Sequence, residues 1–280
     1  PIEVRGNIVF STTTTYVSTG KLIINGTAAQ SVSGGGDCVM PFEINKASGS
    51  LSFTCNLKFN SNYTYLAGSV DWSTYTATMA GDNSSITSGT FFNLTVNKNQ
   101  IYNTLTLATA NTIVTNTFTL AGGIPNGFPI EVRGNIVFST ATTYLATAKL
   151  IINGTGSQSV SGGGDCVMPF EINKAGGTLT FNSNIKFNAD YAKIAGTVVW
   201  GTYKTTFSTS STAVVTNGDF YDVVIDKWDW PSITFAGANC TVAHDLTISN
   251  VFQFNGVALD VKGNFVLNDT SWFGTSKLIA

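Results

Sequence analysis

Short apolar-alternating segments recur along the chain, at residues 2–10, 21–25, 42–45, 51–53, 57–59, 92–97, 105–107 and 113–120. Each is bounded by Asn, Gly, Ser or Thr. Period-two alternation with β-branched residues predicts strands, with one side chain in two facing a core. Asn-Gly pairs at Asn25, Asn126, Asn153 and Asn255 supply the positive φ that tight turns require. No segment places apolar residues three and four apart over three turns with a cap, so no long helix is expected.

The pattern repeats. The block QSVSGGGDCVMPFEINKA at residues 30–47 returns unchanged at residues 158–175, and residues 1–46 and 129–174 run in register at an offset of 128. Further on, Leu51-Ser52-Phe53 answers Leu179-Thr180-Phe181, Trp72 answers Trp200, and Phe118-Thr119-Leu120 answers Leu246-Thr247-Ile248. A third copy begins near Asp260-Val261-Lys262-Gly263-Asn264-Phe265-Val266 and reaches Lys277-Leu278-Ile279. Residues 1–128, 129–256 and 257–280 are thus read as a first, a second and a starting third repeat of one continuous solenoid.

Two all-β architectures fit a fixed period of this kind. One is a parallel β-helix, or β-solenoid, with coils of roughly 20–25 residues. The alternative is a set of tandem β-sandwich domains. Very short strands, Asn/Ser/Thr/Gly turns suited to stacking like side chains at corners, and the lack of a Pro-rich or charged linker between Leu120 and Ile130 favour the solenoid.

The sequence Leu22-Ile23-Ile24-Asn25-Gly26-Thr27, then Gln30-Ser31-Val32-Ser33-Gly34, then Phe42-Glu43-Ile44-Asn45-Lys46, resembles repeats of large bacterial and archaeal surface proteins. These are the β-solenoid segments of filamentous-haemagglutinin or adhesin type, similar also to phage-fibre shafts. The resemblance spans almost the whole chain. It implies an architecture and a surface setting, and it carries over no catalytic residue.

Composition narrows the reading. Of 280 residues only 11% are charged, against about 25% in ordinary domains. Thr, Asn, Ser and Gly fill the deficit, a habit of extracellular repetitive β proteins. Net charge is −2 with lysines and acids scattered, so nucleic-acid binding has no electrostatic footprint. No apolar run approaches the ~20 residues of a membrane helix, and no membrane insertion is expected.

Candidate chemistry is sparse. Cys38 and Cys55 stand one coil apart and are expected to pair as a disulfide. Cys166 and Cys240 form a second candidate pair, or link neighbouring chains. The remaining reading is buried free thiols, and no Cys/His spacing suggests zinc. Asp219, Asp222, Asp226 and Asp229 crowd one segment, and Asp222 and Asp226 fall on one side of a strand, a candidate carboxylate pair next to Lys227. A solvated charged face is the plainer reading, because the first repeat has Asn93 and Asn97 there. Trp228 and Trp230 are candidate glycan contacts. His244, the only histidine, answers Asn116 and is placed at an exposed turn. Among the Asn-x-Ser/Thr acceptors, Asn25 and Asn153 recur with the repeat and are the best candidates for glycosylation. No cofactor fingerprint and no nucleophile motif is present.

The expected role is a non-catalytic, extracellular or cell-surface structural protein that assembles with copies of itself, end to end or laterally. A filament, sheath, surface layer or adhesin shaft would all fit. The alternatives are a phage-spike-like or polysaccharide-acting β-helix enzyme, and an adhesin that binds surface glycans.

Overall fold

The computed structural model describes the chain except residues 15, 209–210, 227–231, 239, 250–252, 269–271, 274–277 and 280. The described residues form strands, turns and bends with no helix, and every strand pairing is parallel. The fold is a β-solenoid. Parallel pairing between strands about twenty residues apart excludes the sandwich alternative, whose neighbouring strands would run antiparallel. The chain divides into two compact units, Pro1–Val132 and Arg133–Ala280.

In the first unit the coils stack strands on three faces. One face stacks Ile2–Val4, Leu22–Ile24, the start of Phe42–Phe53, the start of Tyr63–Asp71, Ser84–Ile86, Thr104–Leu107 and Ile124–Gly127. The register joins Ile2 to Leu22, Leu22 to Phe42 and Phe42 to Tyr63. A second face carries Ile8–Val9, Gln30–Ser33 and the ends of Phe42–Phe53 and Tyr63–Asp71. A third carries Asp37–Cys38, Leu57–Phe59, Thr76–Met79 and the ends of Gly89–Asn97 and Thr112–Gly122. The second unit repeats the plan, with Asp165–Cys166, Ile185–Phe187, Lys204–Phe207, Asp222–Asp226, Leu246–Ser249 and Phe265–Leu267 on its third face.

Alternation decides which side chains go inside. In Leu22–Ile24, Leu57–Phe59 and Asp222–Asp226 every second residue is buried and its neighbours face outward. The interior of each unit holds Ile, Leu, Val and Phe, and it takes in that unit's repeated tryptophan. Trp72 lies flat on Phe53 with ring centroids 3.6 Å apart, and Trp200 lies on Phe181 at 3.7 Å.

The asparagines have a specific job. A strand-entry Asn or Asp on one coil accepts a hydrogen bond from a main-chain N–H of the next: Asn7 from Ser31, Asn56 from Thr76, Asn62 from Ser85, Asn83 from Thr104, Asn135 from Ser159, Asn184 from Lys204 and Asp190 from Val214, all at 2.7–2.9 Å. Where the coil bends and the ladder falters, these short side chains satisfy main-chain donors that would otherwise go unpaired.

Phe42–Phe53 is one bent strand, where alternation alone suggested separate strands at 42–45 and 51–53. The register shifts between Ile44 and Asn45 and again between Asn45 and Ser50. Lys46 fills this bend and is 1% exposed. Its Nζ donates to Gly26 O at 2.6 Å, Ala28 O at 2.9 Å and Gln30 Oε1 at 2.5 Å. Lys174 does the same with Gly154 O, Gly156 O and Gln158 Oε1. The glycine triplet serves the adjoining corner. Gly34 has φ +96°, and a Cβ there would lie 2.3 Å from Phe10 O, so only glycine fits.

Candidate functional site

The strand Asp222–Asp226 lies on the third face of the second unit, with Val223 and Ile225 inward and Asp222, Val224 and Asp226 turned out. Asp222 and Asp226 share the outward side, as the alternation implies. Four residues of extended chain set their backbones about 13 Å apart. Paired carboxylates of glycoside hydrolases stand roughly 5–9.5 Å apart.

Asp222 instead works with the coil after it. Its Oδ1 accepts the main-chain N–H of Asp245 at 2.9 Å and lies 2.7 Å from His244 Nδ1. Asp245 Oδ1 in turn accepts from the main-chain N–H and Nδ2 of Asn264 at 2.9 and 3.0 Å. The cluster is therefore an extension of the corner ladder, with a histidine added. The His244 ring stacks on Tyr221, centroids 5.0 Å apart and planes 8° apart. His244 is exposed, as its turn position predicts. Its hydrogen bond to Asp222, helped by the nearby Asp245 carboxylate, raises its pKa above the usual histidine value. In the first unit the matching pair is neutral: Asn116 Nδ2 donates to Asn93 Oδ1 at 2.8 Å.

Donor atoms of Asp222, His244 and Asp245 all lie within 4.8 Å of one another. One imidazole and two carboxylates are a set that a borderline divalent cation accepts. Sequence spacing did not assemble this trio, because Asp222 and His244 are joined only by coil stacking.

The four cysteines are free. The expected Cys38–Cys55 disulfide is not formed, and neither is Cys166–Cys240. Cys38 and Cys166 are equivalents on inward-facing positions, where the thiols donate to Met40 O at 3.3 Å and Met168 O at 3.4 Å. Cys55 sits at a half-exposed corner beside Val32 O. A spacing of one coil brings two residues to neighbouring levels, but here one thiol faces the core and the other lies outside the strand. Burial pushes the Cys38 and Cys166 thiols up to about 12 and raises that of Cys240.

Asn25 and Asn153 are half-buried at equivalent turns. The Nδ2 of Asn25, the atom a glycan would occupy, donates to Glu3 Oε2 at 3.0 Å. Asp219 pairs with Lys193 at 2.7 Å. Lys227, Trp228, Asp229 and Trp230 lie outside the described residues. Comparison with protein-family models, with curated proteins and with solved structures finds no match.

Proposed function

We propose that this chain is a non-catalytic structural segment of an extracellular or cell-surface protein, and that copies of it associate into a shaft, filament, sheath or surface layer. The observation that carries the proposal is the repetition of mechanical parts. The Lys46 and Lys174 clasps, the Trp72 and Trp200 stacks and the corner Asn acceptors recur with the repeat, and all of them tie one coil to another. A chain that spends its duplicated residues on holding coils together is suited to transmitting load along a stack.

Three supports add to this. The resemblance to adhesin-type repeats gives the surface setting. Few charges leave outward Thr, Ser and Asn faces that can approach one another without strong repulsion. Buried, protonated thiols at Cys38, Cys166 and Cys240 are shielded from oxidants outside the cell. The polysaccharide-cleaving alternative draws no support from Asp222 and Asp226, which are far apart for the chemistry; Asp222 is also engaged by His244.

Negative-stain electron microscopy and size-exclusion chromatography of the purified chain across a concentration series test the proposal. Regular filaments or sheets that grow with concentration are expected. Monomers alone at the highest concentration would overturn the assembling role.

A further inference from the structure

The second face of the first unit contains a break. No ladder pairing joins residues 69–71 to residues 89–91, although the first face continues across the same two coils through Tyr63 and Ile86 and the third through Thr76–Met79 and Gly89–Asn97. A parallel strand edge without a partner is normally covered or blunted. Here it borders a cavity of about 300 Å³, at the lower end of the roughly 300–1,000 Å³ of small-molecule sites.

The lining is neutral and mixed. Tyr63 and Tyr65 contribute rings, Val70 and Ile113 contribute aliphatic surface, and Ser88, Thr90 and Asn111 contribute hydroxyl and amide groups. No lining residue carries a charge. Two of the side chains are held in place from behind. Tyr65 donates its hydroxyl to Gly68 O at 2.6 Å, and Asn111 Nδ2 donates to Glu131 Oε1 at 2.7 Å, which leaves the amide oxygen of Asn111 as an acceptor. Polar groups fixed in this way bind without the cost of being ordered.

The second unit supplies an internal control. Its second face is broken at the equivalent place, between residues 197–199 and residues 219–220. The aromatic floor matches: Tyr63 and Trp72 meet Phe91 at 5.2 and 5.5 Å, and Tyr191 and Trp200 meet Phe220 at 5.3 and 5.2 Å. The residues over that floor differ. Lys193 stands where the first unit has Tyr65, and Asp219 where it has Thr90. Their ion pair at 2.7 Å spans the break, and Asn217 Nδ2 ties back to Lys193 O at 3.2 Å. The same gap is therefore spanned by an ion pair in one copy and lined by aromatic and neutral groups in the other.

We propose that the cavity lined by Tyr63, Tyr65, Ser88, Thr90 and Asn111 is a binding site for a single neutral sugar ring. A pyranose has apolar C–H faces that suit tyrosine and aliphatic surface, and a rim of hydroxyls that suit Ser, Thr and Asn. The volume fits one ring rather than a long chain, and the uncharged lining disfavours acidic sugars. This site is independent of the assembling role: rods that associate but bind no sugar would refute the site alone.

The test is ligand-observed saturation-transfer NMR on the full chain with glucose, galactose, mannose, N-acetylglucosamine and N-acetylgalactosamine, each at millimolar concentration. At least one is expected to bind. The paired change Tyr65→Lys with Thr90→Asp installs the ion pair of the second unit in the first and is expected to weaken binding about tenfold or more, a loss of about 1.4 kcal/mol, with an unchanged circular-dichroism spectrum. Asn111→Ala provides a second variant should the pair disturb folding, and it is also expected to weaken binding. Binding to none of the five sugars, or binding unaltered by both changes, would overturn the proposal.

Discussion

The Nζ of Lys46 lies 2.5 Å from Oε1 of Gln30, sixteen residues earlier in the chain, and inside the bend of a coil it meets neutral acceptors rather than a carboxylate among the described residues. Two carbonyls complete its coordination, and Gln30 is itself held by donating to Val4 O and Gly6 O. A buried cation satisfied by neutral acceptors is tolerable only with all its donors used. Lys46→Ala would leave three acceptors stranded, and we expect a loss of about 2–4 kcal/mol. Urea unfolding of the variant checks this; a loss below about 0.5 kcal/mol would mean that water replaces the ammonium.

Lys98 is a related buried lysine, donating to Ala80 O at 3.2 Å and to Ser84 Oγ. Burial lowers its pKa from 10.5 to about 8, with Asp82 opposing the shift. The folded state thus binds fewer protons than the unfolded chain between about pH 8 and 10.5, and this residue's contribution to stability rises with pH across that window. Cys38 and Cys166 act in the other direction above pH 9, because their folded pKa values are raised. The quantity to measure is therefore the stability difference between wild type and Lys98→Met at several pH values. It should move in favour of wild type from pH 8 to 10, and a flat difference would contradict the assignment.

Gly34 and Gly35 are neighbours with positive φ, +96° and +71°, but only one is crowded. A Cβ on Gly34 meets Phe10 O at 2.3 Å, whereas a Cβ on Gly35 meets nothing within 4 Å. Gly35→Ala should cost about 1 kcal/mol from backbone strain alone. Gly34→Ala should cost clearly more, about 3 kcal/mol, because main chain must shift. Equal melting temperatures for the two variants would refute the packing of Phe10 against this corner.

Thiol accessibility follows from the packing. Cys38, Cys166 and Cys240 are buried and Cys55 is half-exposed. An aromatic disulfide reagent should titrate one thiol quickly in the native protein and four in denaturant. Fewer than four in denaturant without reductant would reveal a disulfide.

His244 is the only histidine, so its titration can be followed directly by NMR. Its pKa should lie above the usual 6.5 and fall towards it in Asp222→Asn, which removes the first cause of the rise. A value that stays put in the variant would show that Asp222 does not contact the ring.

Much of the fold was legible because alternation and duplication are properties of the chain itself. Residues such as Leu22-Ile23-Ile24 and Leu57-Lys58-Phe59 announce strands, and the returning block announces stacked coils. The expected Asn-Gly turns are not formed as such: Asn126-Gly127 and Asn255-Gly256 end the strands Ile124–Gly127 and Gln253–Gly256, and Gly26 and Gly154 keep negative φ. Thr76–Met79 and Ser84–Ile86 give little alternation signal because they are rich in Thr, Ser and Ala, and their inward positions include Ser84, a buried hydroxyl that accepts from Lys98. The carboxylate pair was visible as a pattern, but its partners were not. Asp222 meets His244 because twenty-two residues make one coil, and that distance is set by bends rather than by alternation.

Sequence by itself determined the β class, the repeat and the inward face of the strands that alternation announces, since these depend on side-chain period. Tertiary structure decided what the polar residues do. It placed Lys46 inside, kept Cys38 and Cys55 apart, and spanned one break with Lys193 and Asp219 while the other borders a cavity beside Tyr65. The physical reason is that hydrophobic burial follows a local alternation any reader can count. A polar group's fate depends on which partner the coil above or below brings within about 3 Å, and no local pattern records that.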